Sequence, residues 1–300
     1  MQENSDKPEL PLVSVVIPVY NGEKFISQTI SAVLQQTYKN MEIIVVNDGS
    51  TDKTKTILEQ ISSPQLKVVH KSNSGVSDTR NAGISLAKGK YIALLDADDR
   101  WHPDNLEKKI TLLESDNTTG FVFSDMNNAD ENLRVTGPAP KGKDDHLLEN
   151  LLSWNGEVIP GPCSNVVARK ICFDEGIKFD SRLTTIADQH FTVQLASRYK
   201  GKRIPEVLWD YRIVAGSMSK SLAVMEKDML NVYAIYRENK YFRSENFRRK
   251  CFANMYLILA ASFWKDGNNK KKGFYYIRKA IASAPFHSLF KLVKKIFKGN

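Results

Sequence analysis

The chain has 300 residues, of which 42% are hydrophobic and 26% charged, a composition that supports a substantial core and excludes a largely disordered protein. Its first residues are polar without the charged-then-apolar pattern of a signal peptide, and its longest apolar-rich stretch is too short to span a bilayer. The net charge is +9. Three cysteines without CxxC spacing predict a cytoplasmic protein with reduced thiols, not a disulfide framework or a zinc site.

Apolar runs alternate with helical patterns from residue 13 onward. The predicted strands are 13–20, 42–47, 66–70 and 91–95, and the predicted helices between them are 25–38, 54–61 and 77–87. This alternation predicts an α/β fold with a mostly parallel, doubly wound sheet. The first strand-to-helix turn contains only Gly22 of a GxGxxG pattern, so a nicotinamide or flavin enzyme is disfavoured.

The fourth predicted strand ends in three closely spaced carboxylates, Asp96, Asp98 and Asp99. The ligand crevice of an open α/β sheet lies beyond the carboxyl ends of its strands, and clustered carboxylates repel one another unless a cation joins them. Carboxylate oxygens suit Mg²⁺ or Mn²⁺, especially when a substrate diphosphate completes the ligand shell. The pattern therefore predicts a metal and diphosphate site. The alternative is that these residues only end the strand and cap the next helix.

Three other side chains belong to the same predicted edge of the sheet. Asp48 could accept a hydrogen bond from a ribose hydroxyl or a base N–H, and Tyr20 offers a flat face for the base. Equally, they could be a turn aspartate and a half-buried tyrosine. Arg80 could neutralise the acids or a diphosphate, or could pair with Asp78 on its own helix.

Five motifs resemble, in order and spacing, those of family 2 glycosyltransferases: VSVVIPVYN at 13–21, VNDGSTD at 46–52, NSGVS at 73–77, RNAG at 80–83 and DADD at 96–99. The resemblance covers about residues 12–220. It implies a GT-A fold (a Rossmann-like, mostly parallel sheet flanked by helices), a nucleotide-diphospho-sugar donor, usually a UDP-sugar, a divalent metal and inversion at the anomeric carbon.

The same resemblance assigns roles to individual residues. The nucleoside pocket would be lined by Pro18, Tyr20, Asp48 and Arg80. Asp96 and Asp98 would form the DxD motif, and family members differ over whether the residue at Asp98 or at Asp99 holds the metal.

The region after residue 125 matches the acceptor half of that family. Residues 126–145 lack periodicity, and we expect a mobile loop over the acceptor. Asp188 lies in the first turn of a predicted helix and matches the family's base, which deprotonates the acceptor hydroxyl. The alternative is that Asp188 only complements the helix N-terminus.

Two positions depart from the family pattern. Ala187 stands where an acid usually precedes the base, and Val214 stands where many relatives have a histidine near the metal or diphosphate. Arg212 or Lys220 could compensate for the missing histidine, or each could be a solvated charge.

The chain ends in predicted helices, the last of which is basic and amphipathic. Residues 265–300 contain ten Lys or Arg residues and one Asp, so this segment carries the whole charge excess. In the predicted helix 288–298, apolar and basic side chains take opposite faces: Leu289, Val293, Ile296 and Phe297 against Lys291, Lys294, Lys295 and Lys298. We expect either a peripheral contact with the cytoplasmic face of a membrane or packing on the chain's own domain. Without a recognisable binding motif, nucleic acid is not expected as a partner.

The sequence thus predicts a loose tail (1–11), a GT-A domain (12–222, with a nucleotide-sugar half 12–125 and an acceptor half 126–222) and a C-terminal helical region (223–300). The predicted function is metal-dependent transfer of a hexosyl or N-acetylhexosaminyl group to a saccharide or lipid-linked acceptor, in cell-surface polysaccharide or glycolipid synthesis. Two alternatives are a nucleotidyl or phosphosugar transferase, and a donor-binding scaffold protein without turnover.

Overall fold

The structure is a computed structural model that describes residues 10–138, 140–214 and 221–297. The predicted tail, apart from its last two residues, and Lys220 lie outside these ranges. The strands are β1 (Val13–Val19), β2 (Met41–Asp48), β3 (Leu66–Lys71), β4 (Tyr91–Leu94), β5 (Arg100–Trp101), β6 (Thr119–Ala129), β7 (Val167–Arg169) and β8 (Lys200–Arg212). The helices are α1 (Ile26–Leu34), α2 (Thr54–Gln60), α3 (Val76–Leu86), α4 (Asn105–Ser115), α5 (Leu147–Ser153), α6 (Pro162–Asn165), α7 (Lys170–Asp174), α8 (Ala187–Arg198), α9 (Leu222–Glu238), α10 (Glu245–Lys265), α11 (Lys270–Ser283) and α12 (Pro285–Phe297).

The strands form one mixed sheet in the order β3-β2-β1-β4-β7-β6-β8-β5. The first four of these pair in parallel, as predicted. In the other half, β7 runs antiparallel to both β4 and β6, β6 is parallel to β8, and β5 is antiparallel to β8. The parallel half brings the carboxyl ends of β1, β2 and β4 to one edge of the sheet, where the acidic residues follow.

Two stretches differ from the sequence prediction. Residues 126–129, expected to begin a mobile loop, continue strand β6, because Asn127 and Ala129 pair with Asp210 and Arg212 of β8. The short strand β5 was not predicted. Two residues carry no periodicity, and the pairing of Arg100 with Asp210 depends on a partner far away in the sequence.

Alternate residues of β1 enter two hydrophobic clusters, as the two-residue period of a strand requires. Val15 and Ile17 pack with α1 and α4, whereas Val16 belongs to the cluster that also contains Phe121 and Phe191. That second cluster includes buried residues of the last helices: Met229, Tyr233, Cys251, Leu259 and Tyr276. Helices α9 to α11 therefore share a core with the acceptor half, while the division into domains stays a prediction.

The C-terminal helix α12 exposes much of its apolar face. Phe286 is 90% exposed and Phe290 67% exposed, and Leu289 and Val293 are also exposed. The side chains of residues 295–297 and the end of the predicted helix lie outside the described part. No helix in the described ranges is long and apolar enough to span a membrane. All three cysteines are buried and unpaired, as predicted.

Candidate active site

A cavity of about 650 Å³ lies beyond the carboxyl end of β4. Its lining brings together Asp96 and Asp99 from the turn after β4, Ser164 from α6 and Asp188 from the first turn of α8. Gly161 also contributes; with φ near 45° and the Trp209 ring only 2.3 Å from an added Cβ, this position excludes a side chain. The predicted nucleoside residues Pro18, Tyr20, Asp48 and Arg80 are not among the lining residues, although Arg80 contacts the lining residue Asp96.

Arg80 and Asp96 form a close ion pair with Nη2–Oδ1 at 2.6 Å. The sequence left open whether Arg80 pairs with the acids after β4 or with Asp78 of its own helix; in the structure it pairs with Asp96. Burial lowers the pKa of Arg80, but the Asp96 carboxylate outweighs it and holds the pKa above its usual range. The Nε–H of Arg80 is buried and meets no acceptor among the described residues, so this guanidinium keeps an unused donor beside the acids.

Asp99 is buried and both of its carboxylate oxygens are used within the protein. The hydroxyl of Ser164 donates to Oδ2 at 2.5 Å, and the backbone N–H of Arg212 donates to Oδ1 at 2.9 Å. The same hydroxyl oxygen accepts the Asp96 N–H at 3.0 Å. Burial, and then the charges of Asp98 and Asp96, raise the pKa of Asp99 well above its ordinary value. Asp99 therefore ties the acidic turn to α6 and β8.

Asp98 differs from its neighbour because its carboxylate is half-buried and accepts no hydrogen bond from another described residue. Its backbone carbonyl is held by the Nε–H of Arg212 at 2.6 Å. Burial, and then the Asp96 carboxylate, raise the pKa of Asp98 to about 6. The carboxylates of Asp96 and Asp98 repel each other and share no hydrogen-bond donor, so the pair is suited to bind a divalent cation.

The side chains of the described ranges do not form a complete metal site on their own. Within the residues that the structure describes, no group of three or more His, Cys, Asp or Glu side chains could hold a metal ion. Such an arrangement suits Mg²⁺ or Mn²⁺ bound through one or two carboxylates together with substrate phosphates. Asp98 and Asp96 are the residues that fit this role by their unused oxygens.

Asp48 is buried at the end of β2 and fixes the turn before α3. Its Oδ1 accepts from Lys71 Nζ at 2.5 Å and from the Ser74 N–H at 2.9 Å, and its Oδ2 accepts from the Gly75 N–H at 2.9 Å. Burial raises the pKa of Asp48, but these donors outweigh it and the pKa lies below the ordinary value. Both carboxylate oxygens of Asp48 therefore already have donors within the protein, and its contact with a nucleoside stays a prediction.

The two remaining nucleoside residues lie on β1 and just after it. Pro18 is buried within the strand, whereas Tyr20 is 54% exposed. An exposed aromatic ring next to the carboxyl end of a central strand is available for stacking. The role of each stays a prediction.

Asp188 is half-buried, lines the cavity and accepts the Gln189 N–H at 2.7 Å. Burial raises the pKa of Asp188, and the positive charge of Arg80 opposes that rise in part. A carboxylate with a raised pKa and one short local hydrogen bond is suited to accept a proton from a bound hydroxyl.

The structural roles of several residues of the site were not predicted from the sequence. Ser164 joins Asp96 to Asp99 although its segment carries no motif for that role. Arg212, considered as a compensating cation, instead donates to Asp98 O, to Glu131 O and to Gln28 Oε1. Asp125, within β6, is paired with Arg203 at 2.6 Å. Ion pairs and buried networks of this kind depend on residues far apart in the chain and leave no local signal.

Comparison with known proteins identifies the family. The family model described as "Glycosyl transferase family 2" matches residues 14–166, about half of the chain. The chain belongs to glycosyl transferase family 2. The matched region runs from the start of β1 to the end of α6 and contains the acidic turn, Arg80 and Ser164.

Curated relatives of this family 2 glycosyltransferase match over part of their length. An uncharacterized glycosyltransferase of Rickettsia prowazekii is 36% identical over 56% of this chain and 55% of its own length. One of Haemophilus influenzae is 47% identical over 35% of this chain and 33% of its own length. The chondroitin synthase of Pasteurella multocida is 35% identical over 42% of this chain and 13% of its own length. The chain therefore spans less than two thirds of these relatives.

Solved structures share the fold over almost the whole chain. Residues 1–349 of Staphylococcus aureus TarS, in complex with UDP-GlcNAc, align with a TM-score of 0.69 at 18% identity, covering 92% of this chain and 82% of that fragment. A mannosyltransferase of Pyrobaculum calidifontis, in complex with GDP-Man and Mn²⁺, aligns with a TM-score of 0.63 at 17% identity, covering 96% and 81%. The predicted GT-A fold with a C-terminal helical extension is confirmed.

Proposed function

We propose that this glycosyltransferase is metal-dependent and inverting, and that it moves a hexosyl or N-acetylhexosaminyl group from a UDP-sugar to an acceptor hydroxyl. The observation that carries the proposal is the presence of Asp188, with its raised pKa, on the same cavity as Asp96 and Asp99. An inverting transfer needs one carboxylate base on the acceptor side and charge compensation on the diphosphate side. Both requirements have residues beside this cavity.

The donor would lie along the carboxyl edge of the parallel strands. Tyr20 would stack on the base, Asp48 would accept from the nucleoside, Pro18 would shape the pocket, and Arg80 would face the diphosphate with its unused Nε–H. The UDP-GlcNAc bound to TarS supports a UDP-sugar as the donor. Its likeness to this chain is one of fold, so the identity of the sugar rests on the assay below.

Mn²⁺ or Mg²⁺ would be held by Asp98, with Asp96 beside it. The geometry favours Asp98 over Asp99 because both oxygens of Asp99 already have partners. When bound, the ion would neutralise charge on the departing diphosphate. The Mn²⁺ in the Pyrobaculum calidifontis mannosyltransferase supports this choice of cofactor.

Asp188 would hold the acceptor hydroxyl and take its proton as the oxygen attacks the anomeric carbon. The bond from that carbon to the diphosphate oxygen breaks on the opposite face, so the configuration inverts. Arg80 is restrained by Asp96 and would compensate part of the charge that develops on the leaving group.

The acceptor is proposed to be a saccharide or lipid-linked sugar in cell-surface polysaccharide or glycolipid synthesis. Similarity to the chondroitin and hyaluronan synthases of Pasteurella multocida supports this class. The exposed apolar row of α12 (Phe286, Leu289, Phe290 and Val293), flanked by lysines, supports a peripheral contact with the cytoplasmic face of an anionic membrane.

The assay for the proposed function measures UDP release over a panel of UDP-sugars, with and without Mn²⁺, using membrane extract as the source of acceptor. The Asp188→Asn variant should lose about 10²- to 10⁴-fold in turnover, since it lacks the base. Asp174→Asn, on the exposed helix α7, is the matched control and should keep native turnover. Release of UMP or pyrophosphate instead of UDP would favour a nucleotidyl or phosphosugar transferase, and UDP binding without turnover would favour a scaffold.

The membrane contact is tested by sedimentation with vesicles. We expect the native chain to bind vesicles that contain anionic phosphatidylglycerol, and a Phe286→Ser/Phe290→Ser variant to bind at least about tenfold more weakly. A Phe274→Ser variant, also exposed but on α11, should bind as the native chain does. Equal binding of the native chain and the double variant would contradict the contact.

A further inference from the structure

Among the apolar side chains that line the same cavity as Asp188 are Trp154, Met225, Met229 and Ile258. We call these four the apolar wall. Trp154 follows α5, the two methionines belong to α9, and Ile258 belongs to α10. Three of the four therefore come from the C-terminal helices, beyond residues 14–166 that match the family.

The last turn of α5 is held in place by side chains from three different helices. Gln189 Nε2 of α8 donates to Leu151 O at 2.9 Å, Tyr233 Oη of α9 donates to Leu152 O at 2.6 Å, and Asn254 Nδ2 of α10 donates to Ser153 O at 2.7 Å. The final carbonyls of a helix have no partner within the helix. Here Gln189 and side chains of α9 and α10 supply those partners. Their hydrogen bonds fix the end of α5, where the wall begins.

Trp154, directly after this turn, has a left-handed backbone with φ 50° and ψ 50°. Such a conformation is rare for a bulky residue and persists only where surrounding structure holds it, as it does at many ligand sites. The three hydrogen bonds to α5 provide that support. A left-handed residue is a common ending of a helix, and here it stands at the cavity wall.

We infer that the acceptor carries a hydrocarbon group that packs on the apolar wall while its hydroxyl reaches Asp188. This inference rests on the proposed function, since it names the chemistry of the acceptor. Met225, Met229 and Ile258 have no N–H or O–H that could bind sugar hydroxyls, so these three side chains offer apolar contact alone. Met225 and Ile258 are only half-buried, so a hydrocarbon group would cover apolar surface that water now contacts.

The wall is also connected to the exposed helix α12. Asn254, which holds the end of α5, uses its Oδ1 to contact His287 Nε2 of α12 at 2.7 Å. The residue that fixes the wall therefore also fixes the helix whose apolar row faces solvent. An acceptor with a hydrocarbon group and a membrane-facing helix are mutually consistent, because such acceptors reside in membranes.

The experiment compares methyl, hexyl and decyl β-glycosides of glucose, galactose and N-acetylglucosamine, all below their micelle concentrations. Sugar transfer from the active UDP-sugar to each glycoside gives kcat/KM for that glycoside. Calorimetric titration of each glycoside into the protein, with UDP and Mn²⁺ present, gives its Kd. Each methylene that packs on the wall is worth up to about fourfold in affinity, so hexyl should exceed methyl by at least about tenfold. The ratio of hexyl to methyl is the measured quantity.

The Met225→Gln/Ile258→Gln variant should bring this ratio close to one in both measurements, with the fold checked by circular dichroism. Ile171→Gln, at an exposed isoleucine of α7, is the matched control and should keep the native ratio. A native ratio near one, or a high ratio that the double variant retains, would overturn the inference. If no UDP-sugar is turned over, the proposed function fails, and the titration still decides whether the wall binds hydrocarbon.

Discussion

The acidic and apolar parts of the cavity lining are built in different ways. Around Asp99 the polar atoms are fixed one by one, through the Ser164 hydroxyl and the Arg212 N–H. Among the described residues, the side chains of the apolar wall accept and donate no hydrogen bonds. The hydrogen bonds lie instead on backbone carbonyls of α5, just before Trp154. Chemistry on a diphosphate needs charges at defined positions, whereas packing against a hydrocarbon group needs shape and apolar area. The acidic part therefore demands particular residues and the wall does not.

The largest effect that separates these parts should come from the pair Asp98 and Asp99. Asp98→Asn removes a carboxylate without internal partners and should weaken Mn²⁺ binding in the presence of UDP by at least about tenfold, because a charged metal ligand is lost. Asp99→Asn is the matched variant and should change that affinity much less, since its oxygens serve Ser164 and Arg212. Calorimetric titration with Mn²⁺ measures both. The reverse ranking would place the metal on Asp99 and contradict our assignment.

A second, smaller effect should appear in the apolar part alone. Asn254→Ala leaves Ser153 O without its partner and should lower the free energy of unfolding by about 1–3 kcal/mol. UDP affinity should stay unchanged, because the donor residues lie on the parallel half of the sheet. Asn239→Ala is the control, since the side-chain amide of Asn239 donates locally, to Ile235 O of the preceding helix α9. A loss of UDP affinity in Asn254→Ala would show that the two parts are not independent.

A third effect, confined to alkaline pH, concerns the buried amine behind the acidic part. Lys109 Nζ donates to Asn165 O at 2.6 Å and to Asn165 Oδ1 at 3.1 Å, and burial lowers the pKa of Lys109 well below its ordinary value. Because the unfolded chain binds a proton more tightly at this group, stability should fall as pH drops below about 10.4 towards the folded pKa. The slope is at most about 1.4 kcal/mol per pH unit.

Lys109→Met should remove that slope between pH 10 and pH 8 in chemical denaturation. Lys108→Met changes the neighbouring residue, which is paired with Asp104 and Glu206 at the surface, and should keep it. Identical slopes in the native chain and Lys109→Met would mean that the amine stays protonated in the fold.

The two parts also differ in how far the sequence predicted them. The strands, the acidic turn and Asp188 carry local signals: apolar runs, clustered carboxylates and a helix start. The distinct roles of Asp98 and Asp99 do not, because Asp99 depends on Ser164 and Arg212, which are 65 and 113 residues away. The apolar wall had no signal at all, since Met225 and Ile258 look like ordinary helix residues until α9 and α10 pack against α5.

Pairing between distant residues also explains which parts of the fold the sequence did not predict. The parallel strands β1 to β4 repeat one pattern with helices between them, and the sequence predicted them to within a few residues. The antiparallel direction of β7 and the existence of the two-residue strand β5 depend on pairing with distant residues. The continuation of β6 to Ala129 likewise follows from pairing with β8, which outweighs the polar composition of that stretch.

The most direct test of the account is a crystal structure of the Asp188→Asn variant with an intact UDP-sugar and Mn²⁺. The account predicts Mn²⁺ about 2.0–2.3 Å from an Asp98 oxygen, the diphosphate near Arg80, and residue 188 facing the anomeric carbon from the side away from the diphosphate. Asp99 should keep its bonds to Ser164 and Arg212. A donor bound away from this edge of the sheet, or residue 188 remote from the anomeric carbon, would contradict the central claim.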